Sequence, residues 1–380
     1  MDFDFTEKQL ALQAEVRDFA RNVIAKTVME RTREYRWDKS LWLEIGSHKW
    51  PGVVVPTEYG GMGAGPMEHA IIVEEISKVD ASLGAALNLI QQTIMAVLKF
   101  CTPEQKKKYL PGLASGETYA MTGITETGAG SKLSDMATTA VRDGDDWIVN
   151  GIKTEVHIPE YVEACLIFAK TPGGISAFLV DTKNPGFKVL YPREIVGLRG
   201  NPMAAVGFEN CRVPGENLLG REGAYQEIFF NSFDLTRTGN AAKCIGIAEG
   251  ALEEAIAYAK TRHVGENVVT DFQGIRWQLA DLVTKLEGAR WLMYKSATEY
   301  ITKGRSTVNA AKAKLLACTT AMEATTVAFQ ITGSHGCFAD QPFARFMMDA
   351  KLSEMTGGTV EILRNTIARD LLGKPTGPTP

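Results

Sequence analysis

Three hundred and eighty residues are more than one hydrophobic core usually serves, so two or three cores are expected at ~100–200 residues per domain. Apolar residues make up 45% of the chain and charged residues 23%, a globular balance that excludes a disordered chain. The 41 basic and 45 acidic side chains leave a net charge of −4 without a Lys/Arg-rich run, which excludes a dedicated nucleic-acid binder.

The first residues, Met1-Asp2-Phe3-Asp4-Phe5, are acidic where a secretory signal needs positive charge and then an apolar run. With no stretch of ~18 uninterrupted apolar residues, the expectation is a cytoplasmic protein with no membrane span. From Thr6 to about residue 116 the pattern is helical. Thr6-Glu7-Lys8-Gln9 has capping-box spacing, and Leu10, Val16, Phe19, Val23 and Ile24 follow at largely helical intervals. A glycine-rich turn, Pro56–Gly63, precedes a helical stretch around Met67–Val79, and Thr102-Pro103-Glu104-Gln105 repeats the cap with proline at the first helical position. From about 118 to 228 the chain reads as strands. Ala137–Val141 and Trp147–Val149 flank Asp143-Gly144, a hairpin signal, and Cys165–Ala169 and Ala177–Val180 are short apolar runs between turn residues. From about 229 the helices return. Ile275, Leu279, Leu282, Leu286, Ala289 and Met293 form a seam for a neighbouring helix, and similar spacing runs through Ala310–Ile331 and Ala344–Leu372. Such stripes are core packing before anything else. The Pro/Gly-rich tail Gly373–Pro380 reads as frayed. The expected domains are therefore residues 1–117 (helical), 118–228 (β) and 229–380 (helical bundle).

Generic chemical motifs are absent: no Walker A loop, no GxGxxG between a strand and a helix, no GxSxG and no HExxH. Six cysteines (101, 165, 211, 244, 318 and 337) form no CxxC pair, and five histidines (48, 69, 157, 263 and 335) include no pair at helical ligand spacing. No metal site or disulfide framework is expected. What stands out is a set of longer segments. Ile124-Thr125-Glu126-Thr127-Gly128-Ala129-Gly130-Ser131 places small residues where backbone N–H groups can approach a phosphate or a flat ring. Taken singly, it and Gly197–Gly220 are ordinary turns.

Taken in order, the segments resemble the acyl-CoA dehydrogenase family over nearly the whole chain. They run from Pro56–Gly63 through Thr125–Ser131, Gly197–Gly220 and Phe233-Asp234-Leu235-Thr236-Arg237 to Arg262–Gln273, Gln330–Gly336 and Asp349–Arg369. The resemblance implies an N-terminal all-α domain, a middle β-barrel-like domain and a C-terminal four-helix bundle. It also implies bound FAD, an acyl-CoA substrate, an electron-transferring flavoprotein as redox partner, and a homotetramer or an α2β2 hetero-oligomer. Carried over residue by residue, it places Thr125, Gly130 and Ser131 on the loop that meets the flavin and the neighbouring substrate arm. Glu155 and His157 fall where the family packs and hydrogen-bonds the flavin ring. Arg262, Gln273, Gln330 and Gly333 match FAD contacts made across a subunit interface, and Thr359 matches the threonine after the catalytic segment. Phe233, Asp234 and Arg237, with Ser131, match the contacts to coenzyme A.

The departures are as informative. Family members that oxidise at Cα–Cβ use a glutamate to take the α-proton; at its usual seat stands Gly357, and at the seat some relatives use, before the CoA-binding arginine, stands Thr236. Neither serves as a general base near neutrality. Glu155 and His157 replace the usual tryptophan and threonine, and Met348 stands where arginine commonly precedes Asp349. Asn88, Gln91 and Gln92 are the pocket candidates, and His157, which titrates near neutrality in its ordinary state, Asn88 and Gln91 are the catalytic candidates. Their neutral amides suit a cyclic or polar acyl group. The reading is an FAD-dependent oxidoreductase acting on a CoA thioester by a non-standard elimination or reduction. Alternatives are a desulfinase-like lyase without net redox, whose substrate-binding arginine would fall at Gly84, a partner subunit of a mixed complex, and an oxygen-using flavin monooxygenase, which the retained Phe233, Asp234 and Arg237 disfavour.

Overall fold

The computed structural model describes residues 4–157 and 162–374, so the acidic opening residues Met1–Phe3 and residues 375–380 of the Pro/Gly tail lie outside the described residues. Six helices come first: α1 (Glu7–Asn22), α2 (Val28–Glu34), α3 (Lys39–Ser47), α4 (Pro66–Ser77), α5 (Ala81–Phe100) and α6 (Pro103–Ser115). Both expected capping boxes are present. Thr6 Oγ1 accepts the Gln9 N–H at 3.3 Å while the Gln9 side chain accepts the Thr6 N–H at 3.0 Å, and Thr102 and Gln105 repeat the exchange at 3.2 and 3.0 Å. Val16, Phe19 and Ile24 face the core as the periodicity predicts, but Leu10 is 51% exposed; Leu12 takes the inward position instead. Asp80 caps α5, accepting from the Ser82 and Leu83 N–H groups, and pairs with buried Arg31 at 2.7 Å. By length and composition α5 could cross a membrane, yet 89% of its apolar window is buried inside the protein, where it packs on α7 and β1.

Seven strands follow: β1 (Tyr119–Gly123), β2 (Thr139–Asp143), β3 (Asp146–His157), β4 (Val162–Thr171), β5 (Gly174–Asp181), β6 (Phe187–Arg193) and β7 (Met203–Val213). They form one mixed sheet in the order β1-β4-β2-β3-β7-β6, with β5 paired to β4. The β2–β3 hairpin turns where Asp143-Gly144 predicts it, with Gly144 at φ +63°. Between Lys153 and Val156 the register of β3 against β7 slips, so Thr154 and Glu155 oppose the single residue Ala205. This bulge breaks the period-2 alternation: Lys153 and Thr154 are buried, Glu155 is exposed, and Val156 and His157 are buried again.

The last part comprises α7 (Tyr225–Ala259), a small β8–β9 hairpin (His263–Val264, Asn267–Val268), α8 (Gln273–Lys303), α9 (Thr307–Thr332), α10 (Phe343–Ser353) and α11 (Val360–Leu371). Leu282, Leu286, Ala289 and Met293 of the expected seam are buried. The spacing through Ala344–Leu372 suggests one continuous stretch, but the chain breaks at 354–359. α10 ends at Ser353, and Gly357 and Gly358 adopt φ +69° and +97°, left-handed values that turn the chain and let Thr359 cap α11. One buried apolar cluster runs through all three parts, fixing the strands against α5 and α7.

Candidate functional site

The loop leaving β1 is stapled to β3 by a buried ion pair. Lys153 Nζ, whose side chain is 0% exposed, lies 2.7 Å from Glu126 Oε1 and donates to the Ile124 carbonyl at 3.2 Å. Glu126 also accepts from the N–H groups of Ala137 and Thr138. Burial pushes its carboxyl up, but these donors outweigh it and hold the group below its ordinary range. The Thr154 N–H donates to the Thr125 carbonyl at 2.9 Å, completing the staple. Thr125 is half-buried, and Gly130 and Ser131 are exposed. A Cβ built on Gly128 or Gly130 would meet nothing within 4 Å among the described residues, so these two positions are uncrowded. A small, rigidly backed surface with an exposed hydroxyl fits the edge of a flat cofactor ring.

His157 ends β3 in the buried interior, with Nδ1 3.4 Å from the Asn201 carbonyl oxygen. Burial pulls its pKa down to about 4, with the positive charge of Lys243 adding to the effect. The expectation that it titrates near neutrality is therefore corrected: the ring is neutral across ordinary pH, because a buried imidazolium loses its hydration without gaining a carboxylate. Glu155 is aimed outward by the bulge.

The central part of the site lies along α7. Phe233 stacks on Phe229 with ring centroids 3.8 Å apart. Asp234 Oδ2 accepts from Ser306 N and Thr307 Oγ1 at 3.1 and 2.7 Å, while its buried Oδ1 has no partner among the described residues. Thr236 is 1% exposed and its hydroxyl donates to the Phe233 carbonyl at 3.1 Å. Asn88 and Gln92 of α5 meet it there. Asn88 Nδ2 donates to the Thr236 carbonyl at 3.0 Å, and Gln92 Nε2 lies 3.4 Å from Thr236 Oγ1. Gln91, by contrast, is turned away: its amide donates to the Pro51 and Leu87 carbonyls. Asn88 Oδ1 faces His69 Nε2 at 3.0 Å, which makes Nε2 the protonated nitrogen and leaves His69 Nδ1 buried without a partner among the described residues. A Cβ on Gly239 would fall 2.0 Å from Asn88 Oδ1 and 2.7 Å from His69 Nε2, so only glycine permits this approach.

The turn 354–359 closes over α7. Arg237 Nε donates to the Gly357 carbonyl at 3.4 Å and Lys314 Nζ to the Gly358 carbonyl at 2.5 Å. A Cβ on Gly357 would lie 2.4 Å from Asn240 Nδ2, so the amide of Asn240 occupies the start of the path a side chain at 357 would take. One turn further on α7, Lys243 is 1% exposed. None of Arg237, Lys243 and Lys314 forms an ion pair among the described residues. Burial lowers all three, and with Lys243 and Arg237 nearby Lys314 falls to about 8. Asp349, pushed up by burial to about 6, accepts the Leu198 N–H at 2.5 Å and lies 3.6 Å from Arg345. Arg345, four residues before Asp349, thus stands near the carboxylate that Met348 cannot pair.

The structure brings Asn88, Gln92, Thr236, Arg237 and Gly357 together and adds four residues the sequence reading did not select: His69, Asn240, Lys243 and Lys314. The signal for Lys243 was present, since it is the one charge within the otherwise apolar or small stretch Gly239–Ala248 of α7. For His69 there was none, because only the fold reveals that Gly239 opens a place beside it. Arg262, Gln273, Gln330 and Gly333 lie elsewhere, all exposed and gathered at one end of the bundle where α7 ends, α8 begins and α9 ends. Two surface depressions of about 280 and 180 Å³, lined by residues such as Trp37 and Trp42 and by Glu249 and Arg290, contain none of these residues.

A helical part, a strand part and a second helical part in this chain order are the arrangement of a flavin-dependent dehydrogenase fold. Family models for the acyl-CoA dehydrogenase N-terminal, middle and C-terminal domains match residues 6–117, 121–211 and 227–372. The chain belongs to the acyl-CoA dehydrogenase family. It is 36% identical to the short-chain-specific acyl-CoA dehydrogenase of Clostridium acetobutylicum, over 97% of this chain and 99% of that one. Butyryl-CoA dehydrogenase from Megasphaera elsdenii superposes with a TM-score of 0.94 at 33% identity, covering 98% of this chain and 100% of that one. A chain solved in work on the electron transferring flavoprotein of Acidaminococcus fermentans and flavin-based electron bifurcation gives a TM-score of 0.94 at 38% identity, with the same coverage.

Proposed function

We propose that this chain, with FAD bound, exchanges an electron pair with the acyl group of a CoA thioester by an elimination or reduction that uses no glutamate at either usual seat. The observation that carries the reading is the state of those seats. Position 357 is a left-handed glycine with the Asn240 amide at its Cβ site, and Thr236 is a buried hydroxyl engaged with the Phe233 carbonyl. FAD, when bound, supplies the hydride exchange. The residues present fit it: Thr125, Gly130 and Ser131 offer an uncrowded loop, and the second ring nitrogen of His157 makes no hydrogen bond among the described residues. The chain's own part is to hold and orient. Arg237 and Asp234 hold the CoA moiety near α7, with Phe233 as an apolar platform, while the buried Asn88, Gln92 and Thr236 present a polar, water-excluding wall to the acyl group.

Arg262, Gln273, Gln330 and Gly333 sit beyond the far end of α7. That helix ends at Ala259, about 33 Å past Arg237 at 1.5 Å per residue. This distance supports a second subunit as the recipient of those contacts, in a homotetramer or an α2β2 assembly. An electron-transferring flavoprotein is the proposed redox partner, supported by the similarity to the chain from the Acidaminococcus fermentans work. A desulfinase-like arrangement is disfavoured by Gly84: a Cβ there would fall 2.0 Å from Ser77 Oγ, leaving no path for an arginine. The test is flavin absorbance of the purified protein followed by anaerobic titration with a panel of acyl-CoA and enoyl-CoA esters. Spectral change with one class supports the reading; protein that carries flavin yet responds to no CoA ester overturns it.

A further inference from the structure

Position 357 carries no carboxylate, and a buried cation, Lys243, stands nearby on α7. Lys243 lies one helical turn beyond Asn240, whose amide fills the start of the glutamate's path, and is 1% exposed without a hydrogen bond or ion pair among the described residues. Its charged neighbours add to the imbalance. Lys314 and Arg237 are buried cations committed to the carbonyls of Gly358 and Gly357, and His157 is neutral. Asp349 is the one carboxylate whose charge is felt at Lys243, and it is already engaged by the Leu198 N–H and Arg345. An unpaired buried ammonium is costly, and three cations in one interior region more so, unless a counter-charge arrives. Lys243 thus stands one turn along α7 from the amide that occupies the side-chain path at 357, and its charge is also felt at His157 and Lys314.

We propose that Asn240 and Lys243 form a subsite for an anionic group, a carboxylate, carried on the acyl chain of the CoA thioester. The inference rests on the CoA-thioester reading above and deepens it by naming the substrate class: short dicarboxylic acids esterified to CoA at one end. The spacing sets the length. Asn240 and Lys243 lie one to two turns past Arg237, ~5–9 Å along the axis, the reach of a chain of a few carbons beyond the thioester. Asn240 offers an amide N–H and Lys243 a charge-assisted donor, which together suit a carboxylate's two oxygens.

The experiment is calorimetric titration of the FAD-loaded protein with succinyl-, glutaryl- and adipyl-CoA, each against its monomethyl ester, with butyryl-CoA as the neutral reference. The wild type binds at least one free acid about tenfold or more tightly than its methyl ester. Lys243→Met abolishes that preference while its flavin content and its affinity for the methyl ester stay within about twofold of wild type, and Lys243→Arg restores part of it. The proposal is overturned if no pair is discriminated, or if Lys243→Met still discriminates. It is also overturned if Lys243→Met loses flavin and weakens acid and ester alike, which assigns the lysine to the cofactor or the fold. If butyryl-CoA and every ester fail to bind the flavin-loaded wild type, the CoA-thioester reading itself falls; if the neutral esters bind without discrimination, only the subsite does.

Discussion

Restoring the glutamate by Gly357→Glu tests the empty-seat argument and shows why one substitution is not enough. Gly357 adopts φ +69°, and an L-residue in the left-handed region costs about 1–2 kcal/mol. The new Cβ would also lie 2.4 Å from Asn240 Nδ2, so a buried side chain has to move, at about 1–3 kcal/mol. The expected loss is thus roughly 2–5 kcal/mol, a large share of the ~5–15 kcal/mol typical of a folded protein. Adding Asn240→Ala removes the clash and leaves roughly the left-handed cost alone, so the two substitutions couple favourably by about 1–3 kcal/mol. In the double variant the glutamate stands among Arg237, Lys243 and Lys314, which favour its ionised, proton-accepting form. The assay pairs thermal unfolding of the flavin-loaded proteins with anaerobic bleaching of the flavin by butyryl-CoA. The single variant melts well below wild type and bleaches poorly; the double variant recovers most of the melting temperature and bleaches. A single variant as stable as wild type would refute the geometry. A stable, flavin-loaded double variant that no saturated acyl-CoA bleaches would refute the missing-base reasoning.

Arg237→Ala should weaken CoA-ester binding by about tenfold or more, as loss of a charge-assisted contact does; calorimetry showing unchanged affinity would favour the oxygen-using alternative. Glu126→Gln breaks the buried pair with Lys153 and should cost about 3–5 kcal/mol, loosening the Thr125–Ser131 loop. Flavin retention through gel filtration checks it, and full retention with an unchanged melting temperature would show that the staple is not needed. His69 and His157 are both pulled by burial from 6.5 to about 4. Between those values the unfolded chain binds protons that the folded one does not, so stability falls as pH drops through that window, by roughly 3 kcal/mol per histidine by pH 4. Replacing either with glutamine should flatten urea-midpoint profiles between pH 6.5 and 4, and an unaltered slope would show that neither ring is held neutral.

Elements whose signals are local were legible. The Thr6 and Thr102 caps, the Asp143-Gly144 turn and the inward seam of α8 follow from side-chain chemistry within a few residues. Features set by a partner element were not. The bulge at Thr154–Glu155 exists only relative to β7, so alternation along β3 alone gives no warning that Val156 and His157 are both buried. Periodicity carries through Ala344–Leu372 because α10 and α11 each keep their own apolar face; the break belongs to the left-handed pair Gly357-Gly358, two residues in twenty-nine. Within the candidate site, Asn88, Gln92, Thr236 and Arg237 lie together, while Gln91 turns toward the Pro51 and Leu87 carbonyls. The polar ones beside them, His69 and Lys243, escaped because a lone histidine or lysine in a helix is ordinarily a surface residue.

The same geometry separates the two ways a second subunit could matter. On the reading proposed above, a partner would complete the FAD contacts, since Arg262, Gln273, Gln330 and Gly333 are exposed at the end of the bundle remote from Arg237. A partner cannot lend the missing glutamate. Thr236 is 1% exposed and enclosed by Asn88 and Gln92 of the same chain, and the Cβ direction of Gly357 points into Asn240 of the same chain. In a mixed complex the other chain would therefore bring a second, separate catalytic centre and leave this one as it stands. The empty seats are a property of this chain's own interior, where α5, α7 and the 354–359 turn enclose them.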